Sequence, residues 1–267
     1  MNKSAKQVNL EKKIMAGLTG KSLDVAYFLF NDQEILTMQD YANTVSIKRL
    51  GFNDHGPVHM RKTALNSLTI FDLLAAADVK FNYEKEGSGT VEDSKIAVLT
   101  ASLLHDLGMA VTRENHEYMS IIITQPIVKR LLEKFYKDDP ARRYTLYPLI
   151  MECIFGHMAT QQIYTLEAGI VLIGDGLDME KGRARIPTLL AAKPRVGDIH
   201  KYSATAIDRV MIKNGETKPV RIEITMSSTV GFFQVEEVLY PKITSSPVRS
   251  YIELYAGVTG SELLKYH

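Results

Sequence analysis

Cysteine is nearly absent from the chain: Cys153 is the single one in 267 residues. An internal disulfide is therefore excluded, and the composition suits a reducing compartment, so a cytoplasmic protein is expected. Net charge is nearly absent too. Thirty-two Lys and Arg against 31 Asp and Glu leave a formal +1, which provides no global field for nucleic acid or a membrane surface. No apolar run reaches the roughly 18 residues that a membrane span requires. The opening MNKSAKQVNLEKK has no apolar core of the kind a signal peptide carries. Internal repeats and low-complexity tracts are also missing. What remains, 45% hydrophobic and 24% charged, is ordinary globular composition. The uneven feature is seven histidines beside one cysteine, so a metal site here has to be built from imidazole and carboxylate.

The hydrophobic period predicts a mainly α protein. The first fifty residues read as helical, with an apolar cluster at Ala26, Phe28, Leu29 and Phe30. A helix follows Pro57, with Leu65, Leu68, Phe71 and Leu74 at three-residue steps. The polar stretch from Lys80 to Asp93, with Gly87-Ser88-Gly89, reads as a flexible loop. Ser94 is the expected cap of the next helix, which carries Ile96, Leu99, Leu103, Leu104 and Leu107 and ends at Gly108. Further helices are expected from about Asn115, kinked or restarted at Pro126, from about Thr145 to His157, and from about Tyr164 to Met179. Towards the C-terminus the period changes to two. Ala206–Lys213 and Lys218–Ser227 alternate apolar and polar residues around Asn214-Gly215, a hairpin signal, and Ser250–Gly257 alternates again. The expectation is a helical domain over residues 1–195 and a small α+β appendage over 196–267.

Histidine placement carries the chemistry. His59 falls in the first turn of one helix, His105-Asp106 ends the next, His116 opens the third and His157 closes the fourth. Asp175 interrupts the apolar run from Gly169 to Gly174. A side chain at a helix end can leave the packed core and point into a shared pocket, and five such ends can converge in a bundle. Any one of these histidines alone reads equally as a capping or surface group, and Asp175 as a turn residue. The His105-Asp106 pair weighs more, because an Asp following Ala-Val-Leu-Thr-Ala-Ser-Leu-Leu needs a partner for its buried charge. Imidazole with carboxylate suits Fe, Mn, Ni, Co or Zn.

In order, His59, then His105-Asp106, then Asp175 resembles the H…HD…D pattern of the HD-domain superfamily of metal-dependent phosphohydrolases. His116 and His157 resemble the two extra histidines of its dinuclear members, and Gly174-Asp175-Gly176-Leu177-Asp178 is similar to its closing segment. The resemblance covers roughly residues 50–180. It implies an HD-type helical bundle with one metal held by His59, His105, Asp106 and Asp175. A second would be held by His116 and His157, with Asp106 bridging. Two divalent ions about 3.5–4 Å apart would share a hydroxide that attacks phosphorus. Met109 stands where the subgroup cleaving cyclic dinucleotides usually has Lys, and the Gly-Tyr-Pro motif is absent, which disfavours cyclic-di-GMP.

The expected substrate is a small phosphodiester or nucleotide-like monoester. Alternatives in the same superfamily are a mixed-valent di-iron oxygenase and a non-catalytic nucleotide-binding module. Asp178, three residues after Asp175, either orients a ligand or assists proton transfer, or is an exposed helix-end carboxylate. Lys181, Arg183, Arg185, Lys193, Arg195 and Lys201 against Asp198 make a local +5, either a phosphate-binding loop or a solvated connection. Arg183 and Arg185 are the leading substrate-binding candidates, with Arg61, His55 and His200 behind them. The alternating C-terminal strands would allow a neighbour's sheet to be extended, hence a homodimer.

Overall fold

The computed structural model describes residues 3–181 and 199–267. Three helices come first: α1 (Ala5–Ala16), α2 (Gly20–Asn31) and α3 (Gln33–Thr44). The Ser4 hydroxyl accepts from the Gln7 amide, while the Gln7 side chain accepts from the Ser4 amide, so two orphan donors of the α1 terminus are satisfied reciprocally. After a π-helical turn and an irregular segment, Pro57 opens α4 (Pro57–Ala76), where its missing N–H costs nothing. A single turn, α5 (Asn82–Lys85), precedes α6 (Val91–Leu104), α7 (His116–Phe135), α8 (Pro140–Phe155) and α9 (Leu166–Gly176). Every residue from Ile96 to Met109 is buried, and so is every residue from Leu166 to Met179. A helix that is apolar on all sides must be packed on all sides. Accordingly, α6 touches α2, α4, α8 and α9. These two central helices deliver Asp106 and Asp175.

The C-terminal part contains α10 (Ile199–Ala206), β1 (Ile207–Asn214), β2 (Val220–Met226), α11 (Phe232–Gln234), α12 (Tyr240–Ser245), β3 (Ile252–Val258) and β4 (Leu264–Lys265). The four strands form one sheet in the order β1-β2-β3-β4. β1 and β2 are an antiparallel hairpin, as the alternation around Asn214-Gly215 predicts. β3 lies parallel to β2, from Val220 opposite Ile252 to Met226 opposite Val258. Parallel neighbours need a crossover, and this one carries α12. Val220, Ile222, Ile224 and Met226 are fully buried and belong to the same apolar cluster as the helices. Among the described residues no helix is long and apolar enough to cross a membrane.

The mainly α architecture with a small C-terminal α+β part is as expected, but several local expectations are corrected. Thr90, not Ser94, caps α6: its hydroxyl accepts from the Asp93 amide and the Asp93 carboxylate accepts from the Thr90 amide. Ser94 lies inside the helix and donates to Glu167, 2.8 Å away. The Lys80–Asp93 stretch is fastened rather than loose, since Glu167 also accepts from the Asn82 and Tyr83 amides. α7 continues through Pro126 rather than restarting there. Burial of Ile127, Val128, Leu131 and Leu132 beyond it outweighs one missing helical hydrogen bond. α8 starts earlier than predicted, at Pro140, because Asp139 accepts from the Arg142 amide. α6 ends at Leu104 rather than Gly108.

Glu253, on β3, closes the hairpin turn. Its carboxylate is buried and accepts from the Thr217 hydroxyl at 2.5 Å and from the Lys218 amide at 2.8 Å. Burial opposes the charge, but those donors outweigh it and hold the carboxyl at about 2. A depressed carboxyl contributes stability above its ordinary range near 4.5, and that contribution is lost as pH falls towards 2. Glu253→Gln should therefore cost about 1–3 kcal/mol near neutral pH. The gap from the parent should narrow steadily in urea titrations carried out below pH 4.5.

Candidate metal centre

His59 leaves the first turn of α4, His105 and Asp106 follow the last turn of α6, and Asp175 lies in the last turn of α9. Their polar atoms meet. His59 Nε2 is 3.2 Å from Asp106 Oδ2 and 3.1 Å from Asp175 Oδ1. His105 Nε2 is 3.4 Å from Asp106 Oδ2, 3.7 Å from Asp175 Oδ1 and 3.3 Å from His59 Nε2. On the other side of Asp106, Oδ1 is 3.1 Å from His116 Nε2 and 3.6 Å from His157 Nε2, and those two nitrogens are 2.9 Å apart. One buried carboxylate thus presents an oxygen to each of two imidazole pairs.

Local sequence explains the approach. The turn after α6 lets both His105 and Asp106 face inward, and Gly108 admits the start of α7. A Cβ at Gly108 would lie 2.0 Å from the His116 carbonyl oxygen and 2.5 Å from the Ser120 nitrogen. The Gly108 amide also donates to the Ser120 hydroxyl at 2.8 Å. Asn115, before His116, adopts φ 53°, a left-handed conformation that Asn tolerates better than most residues. His157 sits in the short 3-10 turn Gly156–Met158 that follows α8.

The outer ring nitrogens fix the inner ones. His59 Nδ1 faces Asp178 Oδ2 at 2.7 Å, and His105 Nδ1 faces the Ser102 carbonyl at 2.9 Å. His116 Nδ1 faces the Arg113 carbonyl at 3.0 Å, and His157 Nδ1 the Ile154 carbonyl at 2.6 Å. Each of these oxygens requires a proton on Nδ1, which leaves the Nε2 lone pairs converging on Asp106. Asp106 Oδ2 is buried and accepts no hydrogen bond from the described residues. Such an arrangement calls for cations in its centre. Two donors on one ion at about 2.1 Å stand about 3.0–3.4 Å apart, close to the spacings within each half. His59, His105 and Asp106 form one group able to hold a metal ion, and Asp106, His116 and His157 a second.

In the bare chain the two halves carry charge differently, and His105 takes up a proton that a bound cation would displace. Burial opposes charge on His105, but Asp106 and Asp175 outweigh it and push the ring up to about 8. At His157 burial prevails over Asp106, with His105 and His116 adding to it, and the ring is pushed down to about 4. Burial works against ionisation of Asp106 as well, yet His105 and His55 hold it well below the usual carboxylate range. Asp175 is held low by Lys242 first, then by His105 and His59, against the same penalty of burial.

A curated protein of Methanocaldococcus jannaschii, the uncharacterized protein MJ1020, is 35% identical over 230 residues, covering 86% of this chain and 86% of that one. The chain belongs to the MJ1020 family. No family model and no solved structure matches it. That relative is itself uncharacterized, so the chemistry of this MJ1020-family chain rests on its own side chains.

Among the residues singled out from sequence, His59, His105, Asp106, His116, His157 and Asp175 share one cluster, and Asp178 stands behind His59. His55 lies just outside α4 with its ring 5.7 Å from that of His59, its Nδ1 near the Asn53 carbonyl and the Ser46 hydroxyl. Arg61 is not at the pocket. Its buried guanidinium turns to α1 and α3, donating to Glu11 and Gln39 at 2.8 Å each. Lys181, at the start of the basic run, pairs with Asp208. Arg183 and Arg185 lie outside the described residues, and of His200 only the backbone, in α10, is described. Sequence reasoning missed two cations beside the cluster. Lys242 Nζ is 2.5 Å from Asp175 Oδ2, and the Arg113 guanidinium is 3.2 Å from His116 Nδ1. Only the fold brings Lys242 there, and no motif around Tyr240-Pro241-Lys242 announces it.

Because Asp178 sets the tautomer of His59, Asp178→Asn should weaken metal uptake about 10–100-fold without unfolding the chain. Equilibrium dialysis with Mn(II), alongside a thermal melt of the metal-free protein, measures both quantities.

Proposed function

We propose that this chain is a metal-dependent phosphohydrolase of the HD-domain type, a cytoplasmic enzyme for a small phosphate ester. One observation carries the reading: Asp106 offers one oxygen to His59 and His105 and the other to His116 and His157. On this reading His59, His105, Asp106 and Asp175 hold one cation, and Asp106, His116 and His157 hold a second, the metal being Fe, Mn, Ni, Co or Zn. When bound there, divalent cations supply Lewis acidity, polarising a phosphoryl oxygen and lowering the pKa of water.

The chain's own residues do the rest. Asp106 is ionised and fixed at the centre, so it can serve both halves at once. Asp178 keeps the His59 proton on Nδ1, turning the opposite nitrogen inward. The donor sets are unequal, four residues against three, so the His116 and His157 side leaves more room for an incoming oxygen. Arg113, half-buried against His116, and the cationic run from Lys181 to Lys201 favour an anionic substrate. No serine or cysteine nucleophile is needed, and Cys153 is buried with its thiol pushed up by that burial.

Purified protein should carry about two metals per chain. His157→Ala should carry one, measured by elemental analysis after anaerobic preparation. A bis-aryl phosphate should be hydrolysed with Mn(II) or Co(II), and Asp106→Ala, still folded, should fall to background. Oxygen consumption with a di-iron signal and no phosphatase activity would move the assignment to an oxygenase. Failure to take up metal after reconstitution would remove the basis of the reading.

A further inference from the structure

Lys242 belongs to the C-terminal part of the chain, in the crossover between the parallel strands β2 and β3, yet it ends in the His/Asp cluster. It is buried, with 7% exposure, which for a lysine demands specific partners. The structure supplies two. Nζ donates to Asp175 Oδ2 at 2.5 Å and to the His157 carbonyl at 2.8 Å. The two oxygens of Asp175 are therefore divided: Oδ1 faces His59 and His105, while Oδ2 is held by the ammonium.

The neighbouring sequence makes room for this reach. A Cβ at Gly176 would stand 3.0 Å from Lys242 Cδ and 3.2 Å from Leu239 Cδ1. Glycine after Asp175 thus lets the lysine stem lie close against the end of α9. Through its second contact, Lys242 also ties α9 to the turn that presents His157. An ammonium beside a place for cations is electrostatically unfavourable to those cations, so charge storage does not account for it. Orientation does.

We propose that Lys242 is a positioning residue of the metal centre, restricting Asp175 to one inward-facing oxygen and registering α9 against the His157 turn. The inference rests on the metal reading given above, and it makes the C-terminal α+β part a component of the centre. Without the lysine, Asp175 is free to rotate or to turn both oxygens inward, and the two halves lose a common strut.

The test uses the full chain and Co(II) alone, followed by equilibrium dialysis and by the visible absorption of the bound ion. Wild-type protein should take up two equivalents. Lys242→Met, which keeps the stem and removes the charge, should bind one of the two about 10–100-fold more weakly, with an altered Co(II) spectrum. A purely structural lysine would shift the melting temperature and leave the spectrum of the loaded protein unchanged. If Lys242→Met cannot be purified folded, Lys242→Gln, which keeps an N–H donor without the charge, reads the same quantities. Wild-type affinity and spectrum in the variant, or tighter binding, overturns the role of Lys242 and leaves the metal reading standing. No Co(II) uptake by the wild type overturns the metal reading, and this inference with it.

Discussion

Burying a carboxylate among imidazoles whose lone pairs all point inward is costly unless positive charge lies between them. Asp106 is in that position, and the helical architecture is arranged around it. α6 runs through the middle of the core, so that its end buries His105 and Asp106. α4, α7 and α8 each bring one imidazole to that end, and α9 brings the second carboxylate. Carbonyls of residues 102, 113 and 154, each three residues before the ring it serves, orient three of the four imidazoles. Backbone three residues upstream therefore orients three rings, and the Asp178 side chain does the same for His59.

The class of fold and the members of the cluster were legible because they leave periodic or positional traces. Alternation at Val220, Ile222, Ile224 and Met226 marks a strand with one apolar face, and histidines at successive helix ends mark a convergent bundle. Boundaries were less legible, because capping is decided by which of several polar residues finds the right amide. Thr90 and Asp93 outcompeted Ser94 in that way. Gly108 looked like a helix terminator, but its requirement is steric: the backbone of α7 passes where its side chain would be. The parallel pairing of β2 with β3, and with it the arrival of Lys242, has no short-range signature at all.

Arg61 shows why proximity in sequence misleads on a helix. Two residues after His59, it faces the other way, into a buried network in which Glu11 and Gln39 accept from the guanidinium. Gln39 in turn donates to the Leu103 carbonyl at 2.7 Å. Helices α1 and α3 thus brace α4 and α6 within two residues of His59 and His105. Removing one partner of such a network leaves a buried charge uncompensated, whereas the network as a whole adds little net stability. Its contribution is to hold two helix ends in register.

The crossover between β2 and β3 has a consequence for how the molecule comes together. A parallel pair cannot close through a tight turn, so pairing β3 with β2 closes the loop Ser227 to Tyr251 and carries its closure entropy. In a chain made from the N-terminus, the histidine-bearing helices emerge well before the segment that packs against them. The cluster residues all precede β2, whereas Lys242, which bonds to Asp175 and the His157 carbonyl, follows it. A chain truncated before β3 would keep the cluster residues and lack the strand pairing that seats α12 beside them.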